Sequence, residues 1–463
     1  MTTTLFRSAG TAVVATDGVV DWVGPAASAG SGADRTVHLD GWLLPAFRDA
    51  HVHVTQTGLA LTGLDLHDAT SLADALDRLE RHARARRGRP VLGGGWDETR
   101  WPEQRRPTAA ELDRAAYGGL VYLPRVDQHG AVASSALLHA AGVASADGWV
   151  SLDDHHAVRR VAYASLTAAD TAAAQAVALD HFAARGVAQV HECAGPQISG
   201  AGDLEQLLAT PSPVEVVATW GDLGDVETPK RLGLRSAAGD LFCDGSVGSR
   251  TAALHAPYTD APDTLGHLKH DAAAVAAHVV AAVEAGLGSG FHAIGDRAID
   301  EVLAGYEMAA AQTGAAFRAV SHRIEHCEMA SAAAIGTMAR LGVEVSAQPP
   351  FDATWGGAEG MYVQRLGRER GLALNPFAAF VAAGVGLRFG TDSPICPVDP
   401  WGGVRAAVQH RTPAARIPAD VAFDCHTVPL AAGGPVTFAV WSHDGRTDIE
   451  TTPELVSASF GAA

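Results

Sequence analysis

Two histidines two positions apart close the stretch Pro45-Ala-Phe-Arg-Asp-Ala-His51-Val-His53. The apolar run Trp42 to Ala46 leads into them and reads as a strand. Alternate strand residues share a face, so His51 and His53 point the same way. Two imidazoles converging from the end of a buried strand suit a transition-metal site, although His-X-His alone is common among ordinary polar histidines. Three further positions, each ending an apolar strand-like run, could complete the site: His292, His326 and Asp392.

The elements that must position these residues alternate strand, loop and Ala-rich helix. Helices are expected over Ser71 to Arg87, with Ser71 as N-cap, from Pro107, and over Thr167–Arg185, His270–Ala285, Ala298–Thr313, Ala330–Leu341 and Asn375–Ala383. Strands are expected at Pro90–Trp96, Leu120–Leu123, Val187–Glu192, Val214–Trp220, Asp240–Asp244, Gly288–His292, His322–His326, Val343–Gln348 and Val385–Asp392. Strands alternating with helices indicate a parallel α/β fold, and the candidate polar residues fall at C-terminal strand ends, where barrel active sites are built. The chain's two ends differ from this pattern. Thr11–Ala15, Gly18–Gly24 and Thr36–Asp40 are short β-type runs suited to a small antiparallel sheet. Pro435–Trp441 and Thr447–Glu450, around the Asp444-Gly445 turn, have the same texture. Both ends are expected to pair into one discontinuous β domain, residues 1–44 with 428–463, flanking a barrel over residues 45–427.

The 463 residues far exceed one average domain, but a (β/α)8 barrel with a small appendage would use them. A hydrophobic content of 47% indicates a well-filled core. A formal net charge of −18 argues against nucleic acid or an anionic membrane as partner. Five cysteines in a chain this long do not form a disulfide framework, and no apolar run is long enough to span a membrane. A cytoplasmic protein acting on a small-molecule substrate is expected, with homo-oligomerisation left open.

The motifs Asp49-Ala-His51-Val-His53, Gly94-Gly-Trp96-Asp97-Glu98, Asp127-Gln-His129-Gly, Asp244-Gly-Ser-Val-Gly-Ser-Arg250, His292-Ala-Ile-Gly-Asp296, Arg323-Ile-Glu-His326 and Gly390-Thr-Asp392-Ser-Pro follow one another from about residue 40 to 410. In type and order they resemble the amidohydrolase superfamily, most closely its branch of N-substituted formamide deformylase-like metal-dependent hydrolases. The resemblance implies an α/β fold, a distorted (β/α)8 TIM barrel with a small discontinuous β-sandwich from both termini, and one or two divalent metals at the strand ends.

The chemistry of such a site can be argued from the residues themselves. Neutral imidazoles from His51, His53, His292 and His326, with one carboxylate, suit zinc first, and also iron or manganese. An open coordination position would hold water and lower its pKa toward about 7. Asp392 would touch the metal, accept the water's proton as general base, and deliver it to a leaving nitrogen. The plainer readings are capping or core roles for His292 and His326, and an N-cap role for Asp392 before Ser393-Pro394. One departure from the family stands nearby. Its members carry a lysine, which can become carbamylated and bridge two metals, where Asp240 falls here. Lys230 and Lys269 are the chain's only lysines and neither lies in a matching strand. No carbamate bridge is expected. Either Asp240 contributes a shorter bridging carboxylate, or the site is mononuclear, or Asp240 is a hydrogen-bond partner only.

Weaker candidates surround the expected mouth. Trp96 and Asp97 sit on a Gly-rich turn where a ligand can approach the backbone. His129 follows a strand, and Arg250 could take a substrate carboxylate in its fork or form an intrachain ion pair. Trp96, Asp97, His129 and Arg250 are carried as candidate substrate contacts. His191 is expected behind the metal, Cys193 is a soft ligand or inert, and His155, His156, His267 and His270 read as exposed polar residues. The segment after the Asp392 strand is also shorter than in relatives, which weakens substrate inference. The leading function is a metal-dependent hydrolase cleaving a C–N bond of an amide, formamide or cyclic amide. Ester or lactone hydrolysis and a non-catalytic metal-binding role are the alternatives, and a retained Asp392 argues against the last.

Overall fold

The structure, a computed structural model, describes residues 1–126 and 130–461. Two parallel sheets carry the histidines. In one, Val187–Ala194 lies between Phe47–Val52 and Glu215–Trp220. In the other the order is Ser236–Ala237, Gly288–Ala293, His322–His326, Val343–Ala347, Leu387–Phe389. Their edges meet beside the first histidine pair: the Asp392 amide donates to the His51 carbonyl at 2.8 Å, and the His53 amide to the Ser393 carbonyl at 3.0 Å. Long helices separate the strands in sequence, among them Ala168–Ala183, Ala272–Glu284, Asp296–Thr313 and Ala332–Leu341. Their starts are chemically encoded. Ser71 accepts from the Asp74 amide, Thr167 forms a capping box with Asp170, and Asp271 and Ser331 accept from amides three residues on.

Every residue of Phe47–Val52 is buried, as expected for a parallel strand covered on both faces. The preceding run is not part of that strand. Trp42–Pro45 belongs to a different sheet, where it pairs antiparallel with Phe438–Trp441, which in turn pairs with Leu455–Ser459. The last strand is therefore Leu455–Ser459, and Thr447–Glu450 is turn and bend. The N-terminal sheet runs Val19–Pro25, Thr11–Thr16, Thr3–Arg7, Arg35–His38, and is mixed, because Thr3–Arg7 and Arg35–His38 run parallel.

Two expected strands also have different settings. Val91–Gly94 and Val121–Pro124 join Leu64–Asp65, Gly130–Ala133 and Trp149–Ser151 in a separate five-stranded mixed sheet, over its own apolar cluster around Trp96, Trp101 and Leu112. Asp240–Asp244 makes one isolated bridge, Phe242 with His292, instead of a continuous strand. Among the described residues no helix is long and apolar enough to cross a membrane.

Phe47 ties these parts together. Its ring meets Trp401, Phe423, His426 and Trp441 edge-on at 5.1–5.6 Å, so one side chain joins the His51 strand, two C-terminal helices and the terminal sheet. Phe47→Ala is expected to cost about 3–5 kcal/mol of stability, read as a lower denaturant midpoint with little change in slope.

Candidate metal centre

His51 and His53 leave the Phe47–Val52 strand on one side of a buried cluster. His292 and His326 stand at the C-terminal ends of Gly288–Ala293 and His322–His326, and Asp392 follows Leu387–Phe389. Asp240 lies among them. One of its oxygens, Oδ1, is 3.4 Å from His51 Nε2, 3.5 Å from His292 Nδ1 and 3.6 Å from His326 Nε2. The other, Oδ2, is 3.1 Å from His53 Nε2. Asp392 Oδ1 is 3.5 Å from His51 Nε2 and 3.2 Å from His53 Nε2. His51 Nε2, His292 Nδ1, Asp240 Oδ1 and Asp392 Oδ1 are all buried, and among the described residues none has a hydrogen-bond partner.

Donor atoms that crowd together without bonding one another are what a cation would use. A tetrahedral ion with bonds of roughly 2.0–2.2 Å separates its ligand atoms by roughly 3.3–3.6 Å. The observed separations fall at or near that range, so the residues present fit a divalent metal. Imidazole tautomers fit as well. His51 Nδ1 is 2.9 Å from Glu325 Oε2, and His326 Nδ1 is 2.8 Å from Gln348 Oε1. Each contact places the ring proton on Nδ1 and leaves Nε2 as a lone pair facing the cluster. His292 is turned the other way: its Nε2 donates to the Gly245 carbonyl at 3.2 Å, and Nδ1 faces Asp240.

Protonation follows the same geometry. Burial disfavours charge on all these groups. For His53 the contacts with Asp240 and Asp392 outweigh burial and lift the imidazolium to about 9. His51 is likewise raised, with Cys193, Asp240 and Asp392 opposing burial. Asp240 is held well below the usual carboxylate range against burial, first by His51 and then by His292 and His326. For His292 burial prevails, with the neighbouring His326 adding to it, and the pKa falls to about 4.

Behind His51 runs a buried chain of which only His191 was given a role from the sequence. Glu325 receives His51 on one oxygen and Arg323 Nε at 2.5 Å on the other, and Arg323 Nη1 is 2.9 Å from His191 Nδ1. Arg323 and His51 hold the Glu325 carboxyl down to about 2 despite burial. His191 thus touches Arg323 rather than the cluster. Cys193 lies close enough to His51 and Glu325 to form a donor group, and burial pushes its thiol up to about 11, which favours the neutral thiol. Asp244 accepts from the amides of Ala253, Ile294 and Gly295, tying its loop to the end of the His292 strand.

The other expected contacts fare differently. Trp96 is fully buried, donates Nε1–H to the Leu123 carbonyl and packs on Trp101 and Trp149. It is a core residue of the separate sheet, with no face open to a ligand. Asp97 caps the short turn at Glu98–Arg100 and pairs with Arg125 at 3.1 Å. The Arg250 fork is taken by Asp260, at 3.0 and 2.8 Å, so the intrachain ion pair replaces the substrate role. His129 lies outside the described residues. His155 is not exposed: it is buried, 2.7 Å from the Tyr122 hydroxyl.

Residues 39–432 match the Amidohydrolase family. Among curated proteins, the chain is 26% identical over 418 residues to YtcJ of Bacillus subtilis, covering 83% of this chain and 76% of that one. It is 25% identical over 440 residues to the N-substituted formamide deformylase of Arthrobacter pascens, covering 85% and 79%. Among solved structures, an uncharacterized metal-dependent hydrolase from Pyrococcus furiosus superposes with a TM-score of 0.74 at 25% identity, covering 99% of this chain and 97% of that one.

If Glu325 sets the His51 tautomer, Glu325→Gln should weaken metal binding by roughly 10–100-fold while leaving the circular-dichroism spectrum intact. Chelator competition measures the affinity, and a wild-type value would remove Glu325 from that role.

Proposed function

Because the chain belongs to the amidohydrolase family, we propose that it is a metal-dependent hydrolase of a C–N bond in an amide, formamide or cyclic amide, with zinc as the ion and Asp392 as the general base. The carrying observation is a set of buried donor atoms without hydrogen bonds among the described residues: His51 Nε2 lies 3.4 Å from Asp240 Oδ1 and 3.5 Å from Asp392 Oδ1, and the same Asp240 oxygen lies 3.5 Å from His292 Nδ1, with His53 and His326 beside them. In this reading His51, His53, His292, His326, Asp392 and Asp240 hold the metal. The formamide sense draws on the name of the Arthrobacter pascens relative.

The same reading treats the two parallel sheets as one closed (β/α)8 barrel over residues 45–427, with residues 1–44 and 428–463 as a small β-sandwich domain. The parallel bridge of Val52 with Ser393 and the antiparallel pairing of Trp42–Pro45 with Phe438–Trp441 support it.

A bound divalent ion polarises the scissile carbonyl and acidifies a water. The chain's own residues do the rest. Glu325 and Gln348 keep His51 and His326 oriented, and Asp240 balances the charge of the imidazole cluster. Asp392 accepts the proton of the attacking water and returns it to the departing nitrogen. Its carboxyl stays ionised because His51 and His53 outweigh burial and lower its pKa.

Purified protein should contain divalent metal, and a panel of formamides, amides, cyclic amides, esters and lactones should show C–N cleavage. Absence of metal from active protein, or turnover confined to esters and lactones, would defeat the proposal. Asp392→Asn should keep its fold and most of its metal, because the four histidines remain, yet lose about 10²–10⁴-fold in kcat. His51→Asn should lose metal together with activity. Near-normal turnover by a metal-replete Asp392→Asn variant would leave the mechanism without its base.

A further inference from the structure

A cavity of about 160 Å³ opens beside the cluster, and Asp240 is part of its wall. Its other walls include Gln197, Asp222, Phe242, Lys269 and His270. That space suits a short substrate arm. Lys269 is distinctive in two ways. It is one of only two lysines in a chain of net charge −18. Among the described residues it also forms no ion pair, whereas Lys230 is paired with Glu227. Its ammonium sits 5.0 Å from the centre of the Phe242 ring, and that ring lies 4.9 Å from His292, so Lys269 is held two side chains away from the candidate metal centre. Arg159, which donates to the carbonyl of the cavity residue Gln197, adds a second cation nearby. Asp222 also lines the cavity, and its charge would turn an anion away from that wall and toward Lys269.

We propose that this cavity is a specificity subsite for a short substrate arm ending in a carboxylate, received by Lys269. The inference rests on the hydrolase reading above. It narrows the substrate class to small amides carrying one carboxylate a few bonds from the scissile C–N bond. An ammonium suits this task because it acts as a compact charge with rotatable donors and accepts carboxylates at several angles.

Binding, not turnover, is the test. Calorimetry on zinc-loaded protein would compare N-formylglycine and N-formyl-β-alanine with the corresponding uncharged primary amides. At least one acid should bind about tenfold or more tightly than its amide, a single charge-assisted contact being worth that much. Lys269→Met should erase the preference while leaving zinc content and affinity for the neutral amide unchanged, and Lys269→Arg should retain part of it. Equal affinity for acid and amide, no measurable binding of any of the four probes, or a preference that survives Lys269→Met would overturn the subsite. The last result would place the carboxylate on the metal instead. Probes that bind with the expected preference but are not cleaved, in a protein that cleaves nothing else on the panel, would count against the hydrolase reading and leave the subsite standing.

Discussion

Four imidazoles and two carboxylates lie buried with their ring nitrogens and carboxylate oxygens facing one another, and this is tolerable only with positive charge among them. Removing ionised carboxylates from water is costly unless each is paired or bound to a metal. Asp240 and Asp392 lie against the imidazoles with Oδ1 of each lacking a hydrogen-bond partner among the described residues. Protons can supply part of the charge, which is why His53 rises to about 9. A divalent ion supplies it better, because it satisfies several donor atoms at once. The raised His51 and His53 and the depressed Asp240 are thus the protein's answer to a cluster arranged for a cation.

The scaffold fixes that cluster by joining the first and last strands of the histidine-bearing sheets. Asp49, in the His51 strand, accepts from the Thr391 amide at 2.9 Å and the Thr391 hydroxyl at 2.6 Å, and Asp392 follows directly. Gly390 makes this approach feasible: a Cβ there would lie 2.5 Å from the His51 amide nitrogen. His326 and Asp392 both have left-handed backbones, φ 66° and 54°, where a non-glycine residue is held only if its surroundings insist. Both are residues whose side chains must turn from the strand direction into the cluster.

How much of this could be read in the sequence depends on how local the cause is. Helix starts were legible because a cap is a contact three residues long, as at Ser71 and Thr167. His51, His53, His292, His326 and Asp392 could be picked out because period-two spacing and position at the end of an apolar run are local too, whereas Asp240 was reached only through the family resemblance; the structure brings all six together. Sheet membership was not, since a strand's own residues do not say which strand will pair with it. Trp42–Pro45 and Phe47–Val52 read as one approach but belong to different sheets, and Trp96 fell into the core of a sheet whose existence rests on pairings with Gly130–Ala133 and Trp149–Ser151. Glu325 was quoted within Arg323-Ile-Glu-His326 yet given no role, because its partner at the cluster, His51, is 274 residues away.

Asp240 shows how a local substitution is absorbed by backbone rather than by side chain. The family resemblance places a long lysine there, whereas aspartate carries its carboxylate on a single methylene. For so short a group to stand within 3.1–3.6 Å of four imidazoles, the chain itself must come close to them. The regular strand ends at Ser236–Ala237. Gly239 follows with φ 101°, packed so tightly that a Cβ would meet Thr219 Oγ1 at 2.5 Å. Phe242 then rejoins the His292 strand through a single bridge. An ordinary ladder through this segment would keep Asp240 in register with its neighbours. The glycine bend releases it from that register, so the irregularity of this segment and the reach of its carboxylate share one cause.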